Sequence, residues 1–558
     1  VANQITDNRT QVSSADTATD FVDLGGSVSS VANNEDTEFK IEGLSSVGEV
    51  IGTSLGGQLY NAGTPQNYSN NTFYIWAATT IAGVLDTKAN GGFRIRFCGG
   101  TITDFFEVYV AGAGDEWPAA ISGGWVQFVV DIEEARSQAV TNGWTGGTTP
   151  ATSSIQYVGF AAVTNGAMVR MVNNCWIDEI RRLPTGTPGI IVEGRNGGTT
   201  DWTSADIAST LGLSTGTFIE TTAGAYKINT PIQFGINDTT THAFTDTNKI
   251  WLWDTQEFIP DGFYSISALG NSGGTTNVTL GAKAGTGDAA TGAQGLTIAA
   301  ASNGKRWDMD LDDPNLDGIN FYGCSFQHGG TFQLDDAAVE VISTLYIDCT
   351  QAVVQDSLQL RNTVVAPANG DGVAFMVTDD FLDIRFTTFN FLDGHAIEIT
   401  AQTVNPQENR GNLFNGAFST TPGSTDAAMY NNSGSGQLTI DNTNSTNLNI
   451  NSYRNGTSAS TLIQNSVTVQ VTVQDTTGTP IQNAKVFLEE DPGGTDVISF
   501  GVTDVNGEVS TTFSGSVPQD VIGYVSKGTS SPVYKRANIN DTIGTGGLSA
   551  TITLVSDE

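Results

Sequence analysis

The sequence predicts an all-β protein made of three successive modules, and three observations carry that expectation. Short segments alternate apolar and polar residues, as in FRIRF (93–97), FFEVYV (105–110) and WVQFVVDI (125–132); this period of two marks half-buried strands. Glycine is abundant, at 65 of 558 residues, while proline is modest at 15, a balance that favours tight turns between short strands. Helical character is confined to two short stretches, IEEARSQAV (132–140) and DWTSADIASTLG (201–212). In the second, Thr203 or Ser204 suits the N-cap and Gly212 the end.

The length implies two to four domains. The chain carries 59 Asp and Glu against 23 Lys and Arg, a formal charge of −36, yet only 15% of residues are charged and 38% are hydrophobic. That is a folded chain with a thinly charged surface of one sign, not a disordered acidic tail. Such a surface repels phosphate, so nucleic acid and anionic membranes are not expected partners. No stretch approaches the roughly 18 apolar residues of a membrane span. The polar N-terminus lacks the apolar core of a secretory signal, and Val1 suits either a trimmed initiator Met or a cleaved signal. Cys98, Cys175, Cys324 and Cys349 form no CxxC pair, and His242, His328 and His395 are far apart. Free buried thiols are expected, and a zinc site is not.

An N-terminal arm (1–19) precedes the first module (20–184), whose strands continue through IQYVGFAA (155–162) and AMVRMV (167–172) to NCWIDEIRRL (174–183). The phrase CWIDEIRRL resembles the final strand of jelly-roll carbohydrate-binding and lectin-like domains, which often ends in a hydrophobic-D-x-I pattern. The resemblance implies a jelly-roll sandwich of two sheets. PTGTPG (184–189) reads as a linker.

In the second module (185–463) strand-length phrases recur: INFYGCSF (319–326), TLYIDCTQAV (344–353), LQLRNTVV (358–365), LDIRFTTF (382–389), NLFNGAF (412–418) and LTIDNT (438–443). Phe321 to Tyr346 is 25 residues, and both Leu360 to Phe386 and Phe414 to Ile440 are 26, whereas Tyr346 to Leu360 is only 14. A period in the mid-twenties with little helix predicts a right-handed parallel β-helix, its inward stack built of Phe, Leu, Ile, Cys and Thr. A second antiparallel sandwich or barrel is the competing expectation.

In the third module (464–558), Val467, Val469, Val471 and Val473 alternate with polar residues, as on a sheet with one buried face. DTTGTPIQNAKVFL and TDVNGEVSTTF, in that order, resemble the paired phrases of bacterial Ig-like and carboxypeptidase-regulatory-like sandwiches. The resemblance implies a spacer or adhesion module.

The densest carboxylate cluster is KRWDMDLDDPNLDG (305–318), holding Asp308, Asp310, Asp312, Asp313 and Asp317. Three roles suit it. A solvated acidic edge needs nothing more. Asp308, Asp310 and Asp312, on one face of a strand, are candidate ligands for a hard cation such as Ca²⁺, although the spacing is not that of an EF-hand. Asp308, Asp310, Asp312 or Asp313 are also candidate catalytic carboxylates acting on a glycosidic bond. The aromatic residues Trp117 and Trp144, in GDEWPAA and TNGWTGG, are candidate sugar-stacking residues, or plugs at the ends of the sandwich, whereas Trp125 reads as core. GNSGG around Ser272 matches G-x-S-x-G by composition only, and no nucleotide-binding motif is present.

Taken together, the three modules resemble the surface appendages of tailed bacteriophages: tailspikes, tail fibres and decoration proteins. The resemblance implies a non-enzymatic virion structural protein, displayed on the particle surface. Its implied partners are further copies of itself in a homotrimer, other virion proteins and host-surface glycans. A polysaccharide-depolymerising tailspike and a secreted bacterial adhesin are the alternatives it leaves open.

Overall fold

The computed structural model describes residues 4–557 except 26–33, 37, 39, 52–53, 82–84, 113–123, 166–172, 194–201, 213–216, 236–241, 245–248, 253–257, 271–275, 287–289, 293–294, 301–304, 335–337, 355–357, 367–372, 378–381, 392–394, 401–406, 411, 417–426, 435, 442–452, 516, 529–530 and 545. The protein is all-β, with strands throughout and two α-helices among the described residues. It divides into two compact units, Val1–Ala282 with Gly292–Asp336 and Ile347–Thr350, and Lys283–Thr291 with Ala337–Tyr346 and Gln351–Glu558.

The first unit begins with a sandwich of two antiparallel sheets. One runs in the order Trp125–Asp131, Asn71–Thr79, Asn173–Pro184, Ser46–Ile51, Asn34–Asp36, and the other Thr145–Gly146, Phe105–Ala111, Phe93–Cys98, Ile155–Ala162, Gly56–Gln66, Phe21–Asp23. Alternate residues such as Phe73, Ile75, Phe97, Phe106, Phe128 and Phe160 meet between the sheets. Half-burial was the expectation for these strands, but Asn71–Thr79 is buried along nearly its whole length and every residue of Trp125–Asp131 is buried. The cause is a second apolar layer: Trp76, Ala78 and Trp125 pack on Ile219, from strand Phe218–Thr222, on the outer face. Trp125 is core, as read, though on that second face.

Helix Ile132–Asn142 starts where Asp131 accepts from the backbone N–H groups of Glu133 and Glu134, and ends at Gly143 in the left-handed region; side-chain cap and glycine stop are both standard end signals. Helix Ser204–Leu211 is capped by Thr203 in a reciprocal box with Asp206. All four cysteines are buried and free.

After Pro184 the chain changes to parallel coils. In the first unit one parallel sheet stacks Ile190–Val192, Ile232–Phe234, Ser265–Ala268, Trp307–Asp310 and Gly329–Leu334. A second stacks Ala225–Ile228, Lys249–Leu252, Thr297–Ala300 and Ser325–Gln327, and a third His242–Phe244, Thr276–Gly281 and Leu316–Tyr322. Each turn of chain adds one strand to each sheet, so equivalent residues stack in rows. Ile232, Ile266, Met309 and Phe332 form one inward row. The interior is filled: the cavity left among Phe218, Ile228, Phe234 and their neighbours is about 10 Å³, no more than about one water.

The second unit contains coils of the same kind, with Ala352, Phe375, Ile397 and Met429 as an inward row. Ser343, Asn362 and Phe386 turn the corners with φ of +53°, +51° and +53°. Each is followed by a buried threonine, Thr344, Thr363 or Thr387, whose hydroxyl donates to the carbonyl two residues back. Strands starting at Trp307, Gly329, Gln351, Val373 and His395 are 22 residues apart. The mid-twenties period was therefore too long. Phe321 and Tyr346, for example, lie on strands of different sheets, so their separation mixes one coil with part of the next.

The last module is a sandwich of a three-stranded sheet, Glu508–Gly515, Ala459–Asp475, Leu548–Leu554, and a four-stranded sheet, Asp496–Val502, Lys485–Glu490, Gln519–Lys527, Tyr534–Ile543. The alternating valines 467–473 line its core. Strand Ala459–Asp475 has no break where a boundary was read at 463/464: Ala459–Gln464 pairs with coil strand Gly436–Asp441 and Asn465–Thr472 with Glu508–Gly515. The two recognised phrases are turns built on single aspartates. Asp475 accepts from Thr477 and Thr479 N–H, and Asp504 from Asn506 and Glu508 N–H.

Candidate functional site: a polar groove on the coil face

Parallel stacking puts like positions side by side, so the outward positions of the first coil sheet make a polar row: Gln233, Ser267, Asp310 and Gln333 are register partners. Against this row stands the turn after the first sandwich, Thr185–Pro188, together with Pro260–Phe263. Between them lies a groove of about 320 Å³ whose lining includes Gln233, Ser265, Ser267, Asp261, Asp310 and Asp312. The turn is fixed by Thr187, whose hydroxyl donates to the Pro184 carbonyl at 2.6 Å. It lies close to the coil at Gly189, where a Cβ would sit 1.8 Å from Thr230 Oγ1.

The acidic cluster divides among four jobs. Asp310 and Asp312 are exposed and line the groove. Asp308 is half-buried and turned into the coil: its Oδ1 accepts from Thr331 N–H at 2.8 Å, and its Oδ2 lies where a Cβ on Gly262 would come within 2.2 Å. Burial, with the Asp261 carboxylate beside it, pushes the Asp308 carboxyl up. Asp313 organises the next turn, accepting from the backbone N–H and side-chain amide of Asn315 at 2.8 Å each. Asp317 is exposed on strand Leu316–Tyr322. Asp308, Asp310 and Asp312 were candidate cation ligands, but among the described residues no three His, Cys, Asp or Glu side chains gather to hold a metal ion. The groove combines carboxylate, amide and hydroxyl groups on a rigid sheet, a set suited to hydrogen-bonding a polyhydroxylated ligand.

Asp261, Gln233, Ser265 and Ser267 were not foreseen. Ser267 meets Asp310 only through the strand register, although 43 positions separate them in the sequence.

Of the two aromatic candidates, Trp117 lies outside the described residues. Trp144 is half-buried and stacks on Tyr109, with centroids 4.4 Å apart and planes at 21°; Arg94 covers the Tyr109 ring at 4.7 Å. Beneath this stack, Glu107 receives Arg94 at 2.7 Å and Arg96 at 2.6 Å. Trp144 is thus held in a packed column against the first sandwich.

The histidines serve the fold. His328 sits at a corner with φ +57°, its Nδ1 2.7 Å from Asp348 Oδ2. Burial works to raise the Asp348 carboxyl, but hydrogen bonds from His328 and Arg306 hold it below its ordinary value. His395 Nδ1 accepts from Ala427 N–H at 3.1 Å.

No family model matches the chain, and no match was found among curated proteins. Among solved structures the chain is similar to an apo-form cyclase from Fischerella sp., at 14% identity over 33% of this chain and 91% of that one, with a TM-score of 0.17. It is also similar to a cyclase from Fischerella sp. TAU, at 12% identity over 33% of this chain and 92% of that one, with a TM-score of 0.16.

Proposed function

We propose that the protein is a non-enzymatic glycan-binding component of a tailed-phage surface appendage, holding a host-surface polysaccharide in the groove beside Asp310. The observation that carries this reading is the groove itself. Its row of amide, hydroxyl and carboxylate groups is fixed by strand register, so binding requires little side-chain ordering. The carboxyl that burial raises, Asp308, is engaged with the Thr331 backbone; Asp310 and Asp312, which face the groove, are exposed acceptors. That division favours holding a sugar over cleaving one, because a general acid must present its proton to the glycosidic oxygen. Exposed apolar side chains in the second unit, Leu345, Phe386 and Leu413, favour lateral self-association, in keeping with a homotrimer.

The test is titration of the full chain with host capsular and O-antigen polysaccharides, with oligosaccharide release followed in parallel. Binding without release, weakened at least about tenfold by Asp310→Ala with Asp312→Ala, is expected. Release that is abolished by Asp308→Asn would replace this reading with the depolymerase.

A further inference from the structure

The four-stranded sheet of the terminal sandwich has a core face and an outer face. Val486, Leu488, Val521, Val525 and Ile539 point into the core. On the outer face, each of the four strands contributes one residue to a single row: Phe500, Phe487, Tyr524 and Arg536. The ring centroids of Phe500 and Phe487 are 5.1 Å apart, those of Phe487 and Tyr524 5.5 Å, and the planes turn by 34° and 37° from one ring to the next. The Arg536 guanidinium lies 3.6 Å over the Tyr524 ring.

Two features set this row apart from ordinary surface. Phe500 is 54% exposed and has φ +53°, a left-handed conformation that costs a bulky side chain energy and that glycine would adopt freely. A strained residue that also presents an aromatic ring to water does nothing for folding, which points to a use for the ring. The second feature is charge. Residues 464–558 contain four basic side chains, Lys485, Lys527, Lys535 and Arg536, and all four lie on strands of this sheet. Lys535 is engaged by Asp557 at 3.6 Å. Lys485 precedes Phe487 by two residues and so shares its face, while Glu489 follows by two and marks the opposite end. A chain of charge −36 therefore concentrates cations beside an exposed line of rings.

We propose that this row is a binding surface for an acidic, uronate-bearing polysaccharide, separate from the groove. Successive pyranose rings lie with their C–H faces on Phe500 and Phe487, at a spacing comparable to one sugar unit. Arg536, its plane held by Tyr524, keeps its edge N–H donors for a uronate carboxylate, with Lys485 as a second cation. The turn between successive rings matches a twisted glycan chain.

Alginate and hyaluronan serve as acidic probes and dextran as the neutral control, each titrated into the full-length chain. Both polyuronates, or either, are expected to bind, more weakly as ionic strength rises. Phe500→Gly and Arg536→Ala should each weaken binding at least about tenfold. Because Phe500→Gly relieves the strained φ, it should leave the melting temperature unchanged or raise it, which separates lost binding from lost fold. Asp310→Ala with Asp312→Ala should leave this binding intact, so the groove and the row fail or survive independently. The proposal is overturned if neither polyuronate binds, if dextran binds equally, or if Phe500→Gly keeps full affinity.

Discussion

Asp178 accepts a 2.7 Å hydrogen bond from the backbone N–H of Ile41, although 137 positions separate the two. The same carboxylate oxygen takes Glu42 N–H at 3.2 Å, and the other takes Glu179 N–H at 2.7 Å. This is the aspartate of CWIDEIRRL, and it ties the 41–42 segment to the strand at a bulge where Glu179 has φ +28°. Replacing it by alanine leaves three amides without their acceptor. Asp178→Ala should cost about 2–4 kcal/mol, read as a lower melting temperature by calorimetry. An unchanged transition would show that the tie is dispensable.

Glu49 gives the first sandwich a pH dependence. Its Oε2 accepts from Gly57 N–H at 2.8 Å and from Gln58 at 3.2 Å. Burial first, and then the neighbouring Asp23 carboxylate, push its own carboxyl up to about 7. A carboxyl raised on folding favours the fold while protonated. The contribution is complete below about pH 4.5 and is lost as the pH rises through 7. The shift is worth roughly 3 kcal/mol unscreened and about 2 kcal/mol after solvent screening. Asp178, also pushed up to about 7, chiefly by burial, adds in the same direction. Glu49→Gln should therefore flatten the fall in melting temperature between pH 5 and 8, and an identical pH profile for the variant would refute the assignment.

Gly262 is predicted to admit no other residue. Its φ is +72°, and a Cβ there would come within 2.2 Å of Asp308 Oδ2, so the brace to Thr331 would have to give way. Gly262→Ala should destabilise by about 2–3 kcal/mol and weaken glycan binding in the adjoining groove. Wild-type stability and binding together would argue against the brace.

The coil corner at Phe386 offers the reverse change. Its neighbours in role, Ser343 and Asn362, are small or tolerant of the left-handed region, whereas Phe386 is 52% exposed with φ +53°. Phe386→Gly should stabilise an isolated chain by about 1 kcal/mol. If self-association uses this face, the same change should lower the mass seen in sedimentation.

Strand content was legible because alternation is local: Phe93–Cys98 and Trp125–Asp131 stand where their phrases lie. Both helices were legible from their caps. The coil period was not, because the corners carry Ser, Asn or Phe interchangeably and share only the threonine that follows. Asp310 and Asp312 were visible as acids. Their partners Gln233, Ser265 and Ser267 belong to earlier coils, and without the 22-residue step nothing in the sequence places them alongside. Nor could composition reveal that Asp308, one residue of the same cluster, faces a backbone amide and not the ligand.

Strand Ala459–Asp475 joins the last coils to the terminal sandwich without a hinge. A load applied at the terminal sandwich runs along one extended backbone into the coil, where it is shared by the row of bonds to Gly436–Asp441. Such a row resists in shear, all its bonds together, and does not peel one bond at a time. For an appendage that must hold a cell surface in moving fluid, that continuous strand is a tension member.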